Sequence, residues 1–174
     1  MSEKKYEFTD ETIEEDGHIL HRIRALRNFD IVKAGDLGGY IEDEYNLSHD
    51  DCAWIFGYAK VYGDAEVSGN AEVSGYAKVF GYAEVSGEAK VSDEAKVFDC
   101  AEVFDCAWVF GSAWVFGSAK VFGSAKVFDD AMVFDRARVF DRARVFYYAR
   151  VFHGERVAGI RAEQMPPEEV AEDE

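Results

Sequence analysis

The sequence predicts an all-β protein, a parallel β-solenoid in which three six-residue units complete one coil. Three observations carry that expectation. From Asp51 to Phe152 a six-residue period runs through seventeen consecutive units without insertion. Within it, Ala recurs at every sixth position from Ala53 to Ala149, and Val at every sixth from Val61 to Val151, with Ile55 opening the Val series. The turn residue of each unit changes identity in blocks of three. Gly57, Gly63, Gly69, Gly75, Gly81 and Gly87 give way to Asp93, Asp99 and Asp105, then Gly111, Gly117 and Gly123, then Asp129, Asp135 and Asp141.

Each observation has a physical reading. Residues two apart lie on one side of an extended strand, so Ala and Val share a side. The residue between them is Lys, Glu or Arg in most units, which turns that side to water and buries Ala and Val. Gly or Asp then supplies the bend. A period of six fits no helical stripe. With three units per coil every Asp coil lies beside a Gly coil, so no turn carboxylate stacks on another, and like charges directly opposite would destabilise. The hexads make about six coils, roughly 28 Å of stack at about 4.8 Å per strand.

Taken in chain order, residues 1–50 form the first element. Tyr6 to Ile13 and Ile19 to Leu26 are β-compatible runs around Glu14-Glu-Asp-Gly17, a β-hairpin that caps the open strand edges of a solenoid. Residues 28–50, with Gly35, Gly38 and Gly39, are expected to fold over the first coil. The solenoid itself covers 51–152. Residues 153–174 are a C-terminal cap and acidic tail, disordered from Pro166 onward.

The segment Arg24-Ala-Leu-Arg-Asn-Phe through Lys33-Ala-Gly-Asp-Leu-Gly-Gly-Tyr-Ile41, followed by Asn46-Leu-Ser and Cys52-Ala-Trp-Ile55, resembles the opening of the YdcK-like hexapeptide-repeat proteins of bacteria and phages. The resemblance spans residues 6 to about 152. It implies the left-handed parallel β-helix, a sense of coiling that periodicity alone does not supply and that departs from the usual right-handed crossover.

Charge and composition narrow the function. The net charge of -16 is uneven: residues 1–50 carry 13 acids and 6 Lys/Arg, residues 51–152 carry 15 and 11, and residues 153–174 carry 7 and 2. The ends hold most of the excess, so the repeat is no strongly acidic rod. No apolar leader or membrane-length stretch occurs, and three cysteines fit a reducing compartment, which together point to a cytoplasmic protein without membrane contact. Acyltransferases of this fold use a histidine base and a loop extruded from the coil. Here His18, His21, His49 and His153 all lie outside the hexads, and no insertion builds a cleft. Cys52 and Cys106 share a column three coils apart, about 14 Å by strand spacing and beyond disulfide reach. Asp93, Asp99 and Asp105 occupy three corners and cannot converge on a cation. The expectation is therefore no enzyme, no cofactor and no metal. Arg136, Arg138, Arg142, Arg144 and Arg150 project from several sides as a solvated belt, which argues against nucleic acid as a partner.

What remains is aromatic. The residue after Val is Phe in twelve units, Tyr in one and Ser in four. One corner column is Tyr62, Phe80, Phe98, Phe116, Phe134 and Phe152, without interruption; the other two carry Ser at 74, 92, 68 and 86. These columns are expected to stack as ladders and, with Trp54, Trp108 and Trp114 on the flat sides, to form a protein interface. Two charge columns, Lys60, Lys78, Lys96 and Glu66, Glu84, Glu102, stack like on like, and an antiparallel homodimer could lay one against the other. The function expected is a binding and assembly scaffold, homo-oligomeric as a dimer or trimer. The alternatives are a bacterial or phage inhibitor that binds a host protein, either by surface complementarity or as a nucleic-acid mimic through its acidic caps, and an acyltransferase-like enzyme.

Overall fold

A computed structural model describes residues 3–163, and the acidic tail from Pro166 lies outside that range. The solenoid is built as the repeat dictates. Each hexad contributes a short strand, of two residues in all but Arg144–Tyr147, such as Lys60–Val61 or Glu66–Val67, and a turn. Strands eighteen residues apart pair in parallel register: Lys60 with Lys78, Glu66 with Glu84, Glu72 with Lys90. Three flat sheets result, of nine, seven and six strands, and these are the three faces of a prism. Between rungs the amide of one residue donates to a carbonyl seventeen residues on, as Lys60 N does to Ala77 O at 2.9 Å and Tyr62 N to Val79 O at 3.1 Å.

Inside, Ala and Val fill the prism and are fully buried from Ala53 to Val151. At the corners the chain takes a left-handed backbone conformation, with φ between 57° and 59° at Asp93, Asp99 and Asp105. Asp tolerates that region because its short polar side chain bonds locally. Here it does so across rungs: the carboxylates of Asp93, Asp99 and Asp105 accept from the amides of Gly111, Gly117 and Gly123 at 3.0, 3.2 and 3.1 Å. The blocks of three seen in the sequence are thus alternate rungs bonded corner to corner. A Cβ placed on Gly117 would stand 2.8 Å from Asp135 N, so the stack is tight at that corner.

The ends extend the coil further than the hexads alone announce. β1 (Tyr6–Glu15) and β2 (His18–Ala25) form the expected hairpin, irregular in register between Phe8 and Thr12. β2 pairs antiparallel with β3 (Leu37–Ile41), and β3 pairs in parallel with Lys60–Val61. Leu47 bridges Val67 in the same parallel sense. The segment expected to lie over the first coil therefore supplies strands of a coil of its own. Gly38 and Gly39 allow it, since a Cβ on either would meet neighbouring atoms at 2.5–2.8 Å. Beyond the hexads, Arg156–Val157 and Ile160–Glu163 continue two faces. The stack thus has about seven turns on its longer faces, where the hexads alone implied about six. A single turn of 3-10 helix at Glu44–Asn46 is capped by Asp43.

Candidate interaction surfaces

The outward residues of the three faces form vertical columns. The nine-stranded face presents Lys60, Lys78, Lys96, Trp114, Met132 and Arg150. The seven-stranded face presents Trp54, Glu72, Lys90, Trp108, Lys126 and Arg144. The six-stranded face presents Glu66, Glu84, Glu102, Lys120, Arg138 and Arg156.

The long aromatic ladder stacks from end to end. Ring centroids from Tyr62 through Phe80, Phe98, Phe116 and Phe134 to Phe152 follow at 5.1, 4.9, 4.9, 5.0 and 5.3 Å, with planes within 7°. Each stacked pair adds about 0.5–1.5 kcal/mol beyond its buried area. The stacked rings cover one another, and every corner phenylalanine is half-buried. Arginine covers more of them. The guanidinium of Arg138 lies over Phe122 at 5.4 Å, that of Arg150 over Phe134 at 5.5 Å, and that of Arg156 over Phe140 at 5.3 Å.

The hairpin closes the top of this ladder. Leu20 packs with Tyr40 and Tyr62, and Tyr62 Oη donates to Asp16 at 2.6 Å. Tyr62 is 2% exposed and has no surface left to offer. Burial, then the Asp16 bond, pushes its phenol well above the ordinary value. Trp54 is likewise interior, at 1% exposure, edge-on to Tyr6 and Phe29. It leaves the set of face tryptophans because residues 28–50 pack over it. Trp108 and Trp114 remain on their faces, each beneath a lysine: Lys126 over Trp108 at 5.3 Å and Lys96 over Trp114 at 4.9 Å.

The lysine column is not an unbalanced stack awaiting a partner. Glu15, near the tip of the hairpin, accepts from both Lys60 and Lys78. Burial alone would raise its carboxyl, but the two ammonium groups hold it below the ordinary carboxylate value. Lys96 lies over Trp114 and has no acid partner among the described residues, so of the three lysines expected to pair with a second copy's glutamates two are already neutralised by Glu15. The sequence signal that could have identified Glu15 is the acidic run Glu14-Glu-Asp16, richer in charge than a turn requires.

Beneath the hairpin lies a buried polar cluster. Lys5 is fully buried, donating to Ala53 O at 2.7 Å and lying over Phe29 at 5.2 Å. Its burial, with Arg27 nearby, lowers its ammonium to about 8. His49 stacks on Tyr6 at 4.2 Å, and its Nδ1 accepts from Lys5 N at 3.1 Å. These contacts place His49 in the cap. His18 bonds Glu42, His21 stacks on Phe8, and His153 faces Asp135. The four histidines therefore sit apart, and the described residues hold no group of three or more His, Cys, Asp or Glu placed to bind a metal. No described helix is long and apolar enough to cross a membrane. Comparison with protein-family models and with curated proteins returns no match.

Proposed function

We propose that this protein is a non-enzymatic β-solenoid scaffold, cytoplasmic and cofactor-free, whose flat faces bind protein, including other copies of itself. The observation that supports it most is the strict vertical register of outward side chains on three faces, anchored by a ladder of six rings. Such a surface is rigid before binding, which lowers the ordering cost of association. The corners also show large aromatic side chains to solvent, Tyr82 at 66% and Tyr147 at 48% exposure, the kind of group enriched at interfaces. The resemblance to YdcK-like proteins belongs to the same reading and brings with it a left-handed coil.

The test uses the full chain and a variant with Trp108, Phe116 and Phe134 all changed to Ser. Molar mass by light scattering and affinity capture from native lysate are compared after circular dichroism shows equal strand content. Complexes present with the parent chain and lost with the variant support the scaffold. Acetyl-CoA binding by calorimetry that a His153→Ala change abolishes would overturn it in favour of an enzyme.

A further inference from the structure

We propose that a second copy of this chain docks antiparallel on the six-stranded face. This rests on the scaffold reading and names its partner and surface. Down that face the column holds three acids and then three bases: Glu66, Glu84, Glu102, Lys120, Arg138, Arg156. The sequence of signs is its own complement when reversed. A two-fold axis lying in the interface, parallel to the strands and level with the gap between Glu102 and Lys120, sets Glu66 against Arg156, Glu84 against Arg138 and Glu102 against Lys120 of the other copy. A two-fold along the solenoid axis would instead set Glu66 on Glu66 and Arg156 on Arg156, which repel. A closed two-fold contact of this kind uses one patch on both subunits.

Neither other face has this property. The nine-stranded column contains no acid, and its upper part lies under the hairpin. The seven-stranded column contains one, Glu72, which already pairs with Lys90 at 3.3 Å. On the six-stranded face Glu102 and Lys120 bond to each other at 3.0 Å, while Glu66, Glu84, Arg138 and Arg156 are exposed and make no salt bridge among the described residues. The outer four charges therefore have no opposite charge beside them among the described residues: Arg138 and Arg156 lie over Phe122 and Phe140, contacts with uncharged rings that leave each guanidinium's charge unneutralised.

The flanking columns agree with the same axis. A rotation about the strand direction keeps each residue at its own end of the strand. Tyr82 then meets Arg136, an aromatic face against a guanidinium. On the other edge Ser86 meets Phe140. Where Ser86 replaces a ring, the surface has a notch of about 220 Å³ lined by Glu84, Ser86, Gly87, Glu102, Phe104 and Asp105. The Phe140 ring edge of the second copy fits that step, and Phe104 meets Phe122 at the centre. The face is about 29 Å tall and about 16 Å wide from strand spacing and rise per residue. That buries on the order of 900 Å² over both copies, at the small end of specific interfaces, so the dimer is reversible and sensitive to salt.

Sedimentation equilibrium of the full chain at low and high ionic strength, with Glu84→Arg, Arg138→Glu and the double variant, decides it. The parent chain dimerises at low salt and weakens at high salt. Each single reversal raises the dissociation constant about tenfold or more, because it creates two like-charge contacts across the two-fold. The double variant, with the pair exchanged, returns to within about threefold of the parent. A parent chain monomeric at low salt, or a dimer indifferent to both single changes, overturns the proposal. Loss in the double variant without recovery also overturns it. A chain that stays monomeric yet captures another protein through Trp108 and the open ladder would leave the scaffold standing and remove only this dimer.

Discussion

The two ends of the solenoid share one inner sequence and differ in what lies outside it. Toward the N-terminus the hairpin lies over the nine-stranded face, Glu15 ties down Lys60 and Lys78, and Trp54 and Tyr62 are interior. Toward the C-terminus the same columns are uncovered, Trp108 is exposed at 37%, and arginines lie across the phenylalanine corners. Position in the repeat sets whether a side chain points in or out. Whether an outward side chain becomes core or surface is set by what the chain ends fold onto it.

The largest expected effect tests this with one residue type in one column. Trp54→Ala removes a buried ring and lowers unfolding free energy by about 3–5 kcal/mol, whereas Trp108→Ala, three rungs further along the same column and open to solvent, lowers it by about 1 kcal/mol or less. Urea titrations of both variants measure the gap, and equal costs would erase the distinction between the ends.

Next comes pH. Lys5 is depressed to about 8 by burial and by Arg27, against an ordinary value of 10.5. The unfolded chain therefore holds this proton more tightly, so stability rises as pH climbs from about 8 toward 10, by about 2 kcal/mol, and Lys5→Met flattens the rise. The raised tyrosines Tyr6 and Tyr62 act oppositely above the ordinary tyrosine value of 10.0, which closes the window.

Smaller again is Glu15→Gln, at about 1–2 kcal/mol, because two ammonium groups lose their partner in a half-covered site. Glu15 is depressed in the folded chain, so its contribution is present above the ordinary carboxylate value and is lost as pH falls through the folded value. Acid titration of the parent and the variant should converge below that point. Glu84→Gln, on the open six-stranded face, changes monomer stability by less than about 0.5 kcal/mol. Opposite in sign to the other changes is Ser86→Phe, which extends the Phe104 ladder by one ring and stabilises the monomer by about 0.5–1 kcal/mol. The same change fills the notch expected to receive Phe140, so it weakens self-association while raising the melting temperature.

The solenoid itself was legible because its causes are local and repeated: alternation buries Ala and Val, and the Gly/Asp blocks count three units to a coil. The phenylalanine ladders followed from the same register. Less legible were the ends. Leu37–Ile41 and Leu47 stack as strands without the hexad spacing, since Gly38 and Gly39 stand where the backbone approaches Trp54 and Ala59 too closely for any side chain. The residues that the sequence marks for an interface divided along the same line. Phe98, Phe116, Phe134, Phe152, Trp108 and Trp114 lie at the corners and faces where alternation puts them, and Phe80 touches the cluster under the hairpin. Tyr62 and Trp54 became interior through contacts forty or more positions upstream or from a non-repetitive cap, which no six-residue period encodes. The reach of Glu15 onto two lysines has the same origin. By contrast the acid-to-base order of the six-stranded column was present in every eighteenth residue, once three units per coil was known.

The most direct measurement of the antiparallel arrangement is disulfide trapping in a chain whose Cys52, Cys100 and Cys106 are Ser. Positions 84 and 138 lie three rungs apart, about 14 Å within one chain and beyond disulfide reach. Glu84→Cys with Arg138→Cys should therefore yield a covalent dimer under mild oxidation at low salt, while either cysteine alone should leave the chain monomeric. A single variant that links to itself, or a double variant that links to nothing, would contradict the arrangement.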